Sequence, residues 1–219
     1  MTHTPSHVEQ LDVYDDVGRH TGVKSRHDVH LDGDWHQVFH CQIVSDRDGV
    51  ATAVLQERST AKAAFPGLLD ISAAGHLAAG EAPLDGLREL EEELGVTADP
   101  DSLVALGVRR LVDDSGEGTL NRELTHVFLL RDDRQLAEYS VDPVEVHGVW
   151  EVPIESLLGL LGGSIAELSI TGLLHAAADR TAPIERIISA TDLVPGTEYW
   201  VTLMVMAARF HAGQHPLAI

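Results

Sequence analysis

The segment Gly75 to Val96, GHLAAGEAPLDGLRELEEELGV, restricts this chain more than any other stretch of it. A loop of small residues and glycine runs into a stretch with apolar residues at 84, 87, 90 and 94. Spacings of three and four predict a helix over Leu84 to Leu94 with one apolar stripe. Pro83 suits the first turn, where its missing N–H goes unused, and Gly95 suits the end. Leu87, Leu90 and Leu94 need a sheet to cover them, so the helix belongs in a layered fold. On the other side, Glu89, Glu92 and Glu93 stand at i, i+3 and i+4 and project three carboxylates together. Like charges this close weaken a helix unless a cation sits among them. Hard oxygen donors select magnesium or manganese for that place.

The remaining pattern supplies the sheet. Leu11 to Tyr14 and Thr21 to Lys24 read as strands around the turn Asp15 to Gly18. Trp35 to Val44 and Val50 to Leu55 form a hairpin turned at Ser45 to Gly49, and Ala73 to Glu81 reads as a loop. Leu103 to Val112, Glu123 to Leu130 and Gly148 to Val152 follow as strands. Helices are predicted over Pro153 to Leu161 and Ile165 to Ala178, then a break near Thr181 to Pro183. The turn Pro195-Gly196 leads into a last apolar helix, Tyr199 to Phe210. The expected fold is an α/β sandwich with a mixed sheet and a helical C-terminal portion. Residues 1–160 form the main domain, and 161–219 form a helical extension packed on it.

Composition narrows the function. With 219 residues and 44% hydrophobic content, the chain is long enough for one full-sized core. A formal net charge of −20 excludes wrapping a nucleic-acid backbone, whose phosphates would be repelled. An anionic small molecule stays compatible if a metal ion and a few cations reverse the local sign. Cys41 is the only cysteine, which excludes an intrachain disulfide and fits a reducing cytoplasm. The first residues hold no apolar signal stretch, and the run from Trp200 to Phe210 is too short to span a bilayer. A soluble, cytoplasmic protein that binds no membrane is expected.

The residues Gly75, Glu81, Arg88, Glu89, Glu92, Glu93 and Gly95 together resemble the Nudix box, Gx5Ex7REUxEExGU with U aliphatic. Glutamates on a helix alone describe a solvated face; the joint pattern does not. One departure is present: six residues, Ala82 to Leu87, separate Glu81 from Arg88 where the family has seven. That leaves the carboxylate spacing intact and puts the role of Glu81 in question. The resemblance implies a Nudix fold and magnesium-dependent hydrolysis of a nucleoside diphosphate derivative or a related organic diphosphate. It implies metal binding by Glu89, Glu92, Glu93 and the Gly75 carbonyl, with Arg88 orienting the glutamates. For the general base, Glu89 and Glu123 are both candidates.

Ala64 to His76 (AFPGLLDISAAGH) and His30 to His36 (HLDGDWH) resemble the Nudix branch of isopentenyl-diphosphate isomerase. That branch carries a catalytic Cys in a CGH segment and an ExE pair on a later strand. Here the segments are Ala74-Gly75-His76 and Asn121-Arg122-Glu123, so the Cys and the first Glu are absent. Without them the proton shuttle for isomerisation is missing, and the complete box favours hydrolysis. An isomerase-like activity and a non-catalytic ligand-binding module are the alternatives. By the same resemblance Arg58, Lys62 and His76 are candidate substrate contacts; an acidic site needs such cations to hold a diphosphate. His30, His36 and His76 resemble the branch's histidine metal ligands, with the spacing between the first two shorter by one, or else line a polar pocket. His40 and His126, in strand-like runs, read as structural. The acidic run Asp113 to Glu117 reads as a solvated loop or an aid to metal binding. The C-terminal helix over Tyr199 to Phe210 packs on the core, covers the pocket, or builds a homodimer.

Overall fold

The computed structural model describes residues 9–116, 119–174 and 183–219. Strands β1 (Gln10–Tyr14) and β2 (His20–Ser25) pair antiparallel. The turn between them closes on Asp15, whose Oδ1 accepts the backbone N–H groups of Val17 and Arg19. The short helix α1 (Arg26–Asp32) comes next, with the Asp28 N–H donated to Ser25 Oγ at its start. The sequence pattern did not announce this helix, since seven residues with a single buried side chain, Val29, leave no periodic stripe. It packs on β1 and β2, where Leu11, Val13 and Val29 form a small apolar cluster.

The centre of the sheet is β3 (Trp35–Arg47), hairpinned to β4 (Val50–Arg58). The hairpin turns at Asp48-Gly49, later than expected, because Ser45, Asp46 and Arg47 still pair with Thr52, Ala51 and Val50. Two short strands follow, β5 (Leu69–Asp70) against β4 and β6 (Ala73–His76) against β3. The start of the expected loop at Ala73 is therefore strand. Its backbone satisfies donors and acceptors of β3 from Val38 to Cys41, which would otherwise be buried without partners. A 3-10 turn over Pro83–Gly86 then leads into α2 (Leu87–Leu94), which ends at Gly95 with φ +67°.

Next come β7 (Leu103–Gly116) and β8 (Thr119–Arg131), a long hairpin. β8 runs parallel to β3 and makes the sheet mixed. The acidic run is strand through Gly116 and not a loop; Glu117 lies outside the described residues. Strand β9 (Val146–Pro153) pairs with β4, and α3 (Ile154–Leu161) follows it.

The helix expected over Ile165 to Ala178 is not formed. Leu168–Leu174 is strand β10, paired antiparallel to β9, and Ile184–Ile188 is β11, paired to β10. Residues 175–178 and 181–182 lie outside the described residues. Apolar side chains in this segment fit either period; the open edge of β9 decides it, because pairing there completes a ladder. The helix α4 (Thr197–His211) is the last helix among the described residues.

Neighbouring strands run in the order β11-β10-β9-β4-β3-β1-β2, with β6 and β8 also on β3 and β7 on β8. The two faces of the sheet carry separate cores. Phe39, Cys41, Ile43, Phe128 and Leu130 pack with Leu90 and Leu94 of α2. Val127, Leu129, Trp150 and Val152 pack with Leu157 and Leu160 of α3 and Trp200, Leu203, Met204 and Ala207 of α4. The alternation along β8, Val127 and Leu129 one way and Phe128 and Leu130 the other, builds this three-layer arrangement. Among the described residues no helix is long and apolar enough to cross a membrane.

Candidate active site

The apolar stripe of α2 fixes how its charged residues face. Leu90 and Leu94 are fully buried, each contributing about 2 kcal/mol of burial, so the helix has one orientation. Glu89 and Glu93 consequently point inward and Glu92 lies at the solvent edge, 62% exposed. Glu89 lies flat against β6 at Gly75. A Cβ at that position would stand 2.1 Å from the Glu89 carboxyl carbon, so only glycine leaves room for it.

Arg88 ties these groups together. Its guanidinium reaches Glu81 (Nε to Oε1, 2.9 Å), Glu89 (2.5 Å) and Glu92 (3.3 Å), and donates to the His76 carbonyl at 2.8 Å. Glu81 also accepts the Ala78 N–H at 2.6 Å. The loop glutamate thus braces Arg88 across the 3-10 turn that precedes α2, in spite of the shorter spacing. The hydrogen bond to Glu81 leads in raising the Arg88 pKa, so the side chain is a permanent cation.

Glu93 is 3% exposed. It accepts hydrogen bonds from the Gln56 side chain (2.9 Å) and the Ala74 N–H (3.3 Å), with Lys62 Nζ at 3.6 Å. Burial outweighs these contacts and pushes its pKa up to about 7, which the negative charge of Glu89 reinforces. Burial also raises Glu89, against the pull of Arg88.

Lys62 bridges Glu93 and Glu145. Arg58 is turned onto Asp70 (2.8 Å) and the Ala64 carbonyl (3.0 Å). Of the two expected diphosphate cations, Lys62 therefore stands at the carboxylate helix and Arg58 has its fork engaged by Asp70. A cleft of about 530 Å³, lined by Arg26, His27, His30, Leu31, Lys62 and Glu145, opens over Lys62.

The histidines converge as well. One ring nitrogen from each of His30, His36 and His76 lies within 4.8 Å of the others, and the rings stand 4.9 to 5.3 Å apart. Backbone carbonyls of Arg26 and Asp34 hold the Nδ1 atoms of His30 and His36. The Nε2 atoms of His36 and His76 are buried with no hydrogen-bond partner. Burial draws the His36 pKa down to about 4 and that of His76 well below its usual value, so both rings are neutral. Two neutral, orphaned imidazole nitrogens beside a third suit a metal ion better than they suit one another.

Sheet register places Glu123 beside this cluster, opposite His36 on β3. It accepts from Asn121 Nδ2 at 2.7 Å and Thr125 Oγ1 at 3.4 Å, and burial raises its pKa. His40, one of the two structural histidines, hydrogen-bonds the Tyr199 hydroxyl at 2.8 Å. His126 buries an Nε2 with no partner among the described residues.

A layered mixed sheet carrying a carboxylate helix against a glycine strand defines a class of protein. The NUDIX domain model matches residues 17–168, and the chain belongs to that family. It is 34% identical over 188 residues, 85% of this chain and 90% of the relative, to an uncharacterized Nudix hydrolase of Clostridium acetobutylicum. Nudix hydrolase 3 of Arabidopsis thaliana is 36% identical over 159 residues, 70% of this chain and only 20% of that longer protein. Among solved structures, DR0079 from Deinococcus radiodurans superposes with a TM-score of 0.54 at 23% identity, covering 71% of this chain and 90% of that one. That likeness concerns the fold.

Proposed function

We propose that this Nudix family member hydrolyses the diphosphate linkage of a nucleoside diphosphate derivative or a related organic diphosphate, with magnesium or manganese. The observation that carries the reading is the Glu89 carboxylate lying against Gly75, beside Glu93 and under the guanidinium of Arg88. Glu89, Glu93, Glu92 at the rim and the Gly75 carbonyl would hold the ion. An ion there supplies charge neutralisation on the diphosphate and activation of water. The chain's own groups do the rest. Arg88 fixes Glu89 and Glu92; Lys62, released from Glu145, meets a phosphate oxygen at the mouth of the cleft.

Glu123 is our choice of general base. Glu89 already has Arg88 on one oxygen and Gly75 beneath it. Glu123 is buried, has a raised pKa and is held by neutral donors, so it can take a proton from the attacking water. The three histidines form a second donor set for a borderline metal, supported by the orphaned Nε2 atoms of His36 and His76.

A panel of nucleoside and organic diphosphates assayed with magnesium tests the reading. Wild type should release products that chelation abolishes, and Glu93→Gln should lose at least a hundredfold in kcat. Hydrolysis of no member, or full activity in the variant, defeats it. The histidine frame favours one second reading, isomerisation of isopentenyl diphosphate, which Ala74 and Asn121 oppose. Conversion of that substrate to its isomer would revive it.

A further inference from the structure

Gln56 is a polar side chain at a position that the fold alone would fill with an apolar one. It follows Val54 by two residues on β4 and so points to the same face of the sheet, where Val54 packs in the apolar cluster under α2. Its neighbour across the ladder on β9 is Val149, a member of that cluster. Gln56 is 1% exposed, so water does not reach its amide. A buried carboxamide is costly unless its groups find partners. The Nε2 donates to Glu93 Oε2 at 2.9 Å, and the Oε1 has no partner among the described residues. A methionine or leucine would pack there without leaving a bare acceptor, so packing does not account for the glutamine.

What the amide does is pin one oxygen of a buried carboxylate. Oε2 of Glu93 takes the Gln56 amide from β4 and the Ala74 N–H from β6, the latter at 3.3 Å. Both donors stand on paired strands, whereas Glu93 belongs to α2, so the sheet fixes the end of a helix side chain. The Ala74 contact is beyond the usual range for an N–H donor, which makes Gln56 the principal clamp. Oε1 is left on the side of the Lys62 ammonium, 3.6 Å away, and Lys62 lines the cleft. A carboxylate held by one oxygen presents the other in a fixed direction, and such outer contacts set how well it binds a metal.

We propose that Gln56 is a positioning residue for the site: it holds Glu93 Oε2 and so leaves Oε1 aimed at a divalent cation. The inference rests on the metal-dependent reading above and adds a residue outside the carboxylate helix that sets the strength of metal binding.

Calorimetric titration with magnesium tests it, comparing wild type with Gln56→Met, which keeps the length and removes the donor. The Kd should weaken by about tenfold or more. In a Glu93→Gln background the same substitution should add less than about twofold, because the carboxylate to be positioned is gone. A Kd in Gln56→Met equal to that of wild type overturns the proposal. An equal loss in both backgrounds also overturns it, since general loosening of the site would produce that. If Glu93→Gln takes up no magnesium, the urea midpoint of metal-free Gln56→Met decides. A shift well short of that in Leu90→Ala, a core truncation in α2, sustains the positioning role, and an equal shift overturns it. Gln56→Leu carries the same comparisons should the methionine variant not fold. No magnesium binding by wild type overturns the metal reading and the proposal with it, whereas an unchanged Kd in the variant overturns the proposal alone.

Discussion

Glu93 is a carboxylate almost wholly removed from water, and its titration has consequences that can be measured. Its folded-state pKa, about 7, lies above the ordinary carboxylate value of 4.5. The folded protein therefore binds a proton more tightly there than the unfolded chain. The stabilising contribution is complete below about pH 4.5, and it is lost as pH rises through about 7. In metal-free protein, the stability difference between wild type and Glu93→Gln should shift against wild type by about 3 kcal/mol across that window. Urea midpoints from pH 4 to pH 8 read this directly; a constant difference would refute it. Gly75 gives a second prediction at this scale. Gly75→Ala places a methyl inside the Glu89 carboxylate, so kcat should fall about a hundredfold or more while the circular dichroism spectrum is unchanged. An active variant would show that Glu89 works from another position.

At the scale of elements, α2 is eight residues long and too short to persist alone in water. Its register depends on Leu90 and Leu94 sitting against Phe39, Ile43 and Phe128. Leu90→Ala should cost about 2–5 kcal/mol in chemical denaturation. It should also weaken magnesium binding, measured by calorimetry, because the carboxylates and the stripe share one rigid body. An unchanged affinity would separate the two roles. The α2 segment was legible in the sequence because helix period, Pro83, Gly95 and the carboxylate spacing all agree locally. Strand β10 was not. Its residues satisfy a helical stripe nearly as well, and the deciding term is a ladder to β9, a partner far away in the sequence.

For the molecule as a whole, the described residues after 160 are part of the fold's own sheet and core. They contribute β10 and β11 at one edge and α4 against β3, β4 and β8. Trp200, Leu203, Met204 and Ala207 are buried in the larger apolar cluster. Truncation after Ser189 should therefore abolish cooperative unfolding, whereas a separable extension would leave a sharp transition in the remaining domain. Calorimetry on the shortened chain distinguishes the two outcomes.

The carboxylate helix, the loop glycine, most of the strands and the family resemblance can be read from the amino-acid order, because each is written within a few turns of chain. Tertiary structure alone decided which charges are spent and which remain free. Arg58 is occupied by Asp70, Glu81 serves Arg88, and Glu92 faces water while Glu89 and Glu93 do not. It likewise joined His30, His36 and His76, and put Arg109 on Tyr199, 90 positions later in the chain. Pairing between distant residues depends on strand register and layer packing, and neither leaves a local periodic mark in the sequence.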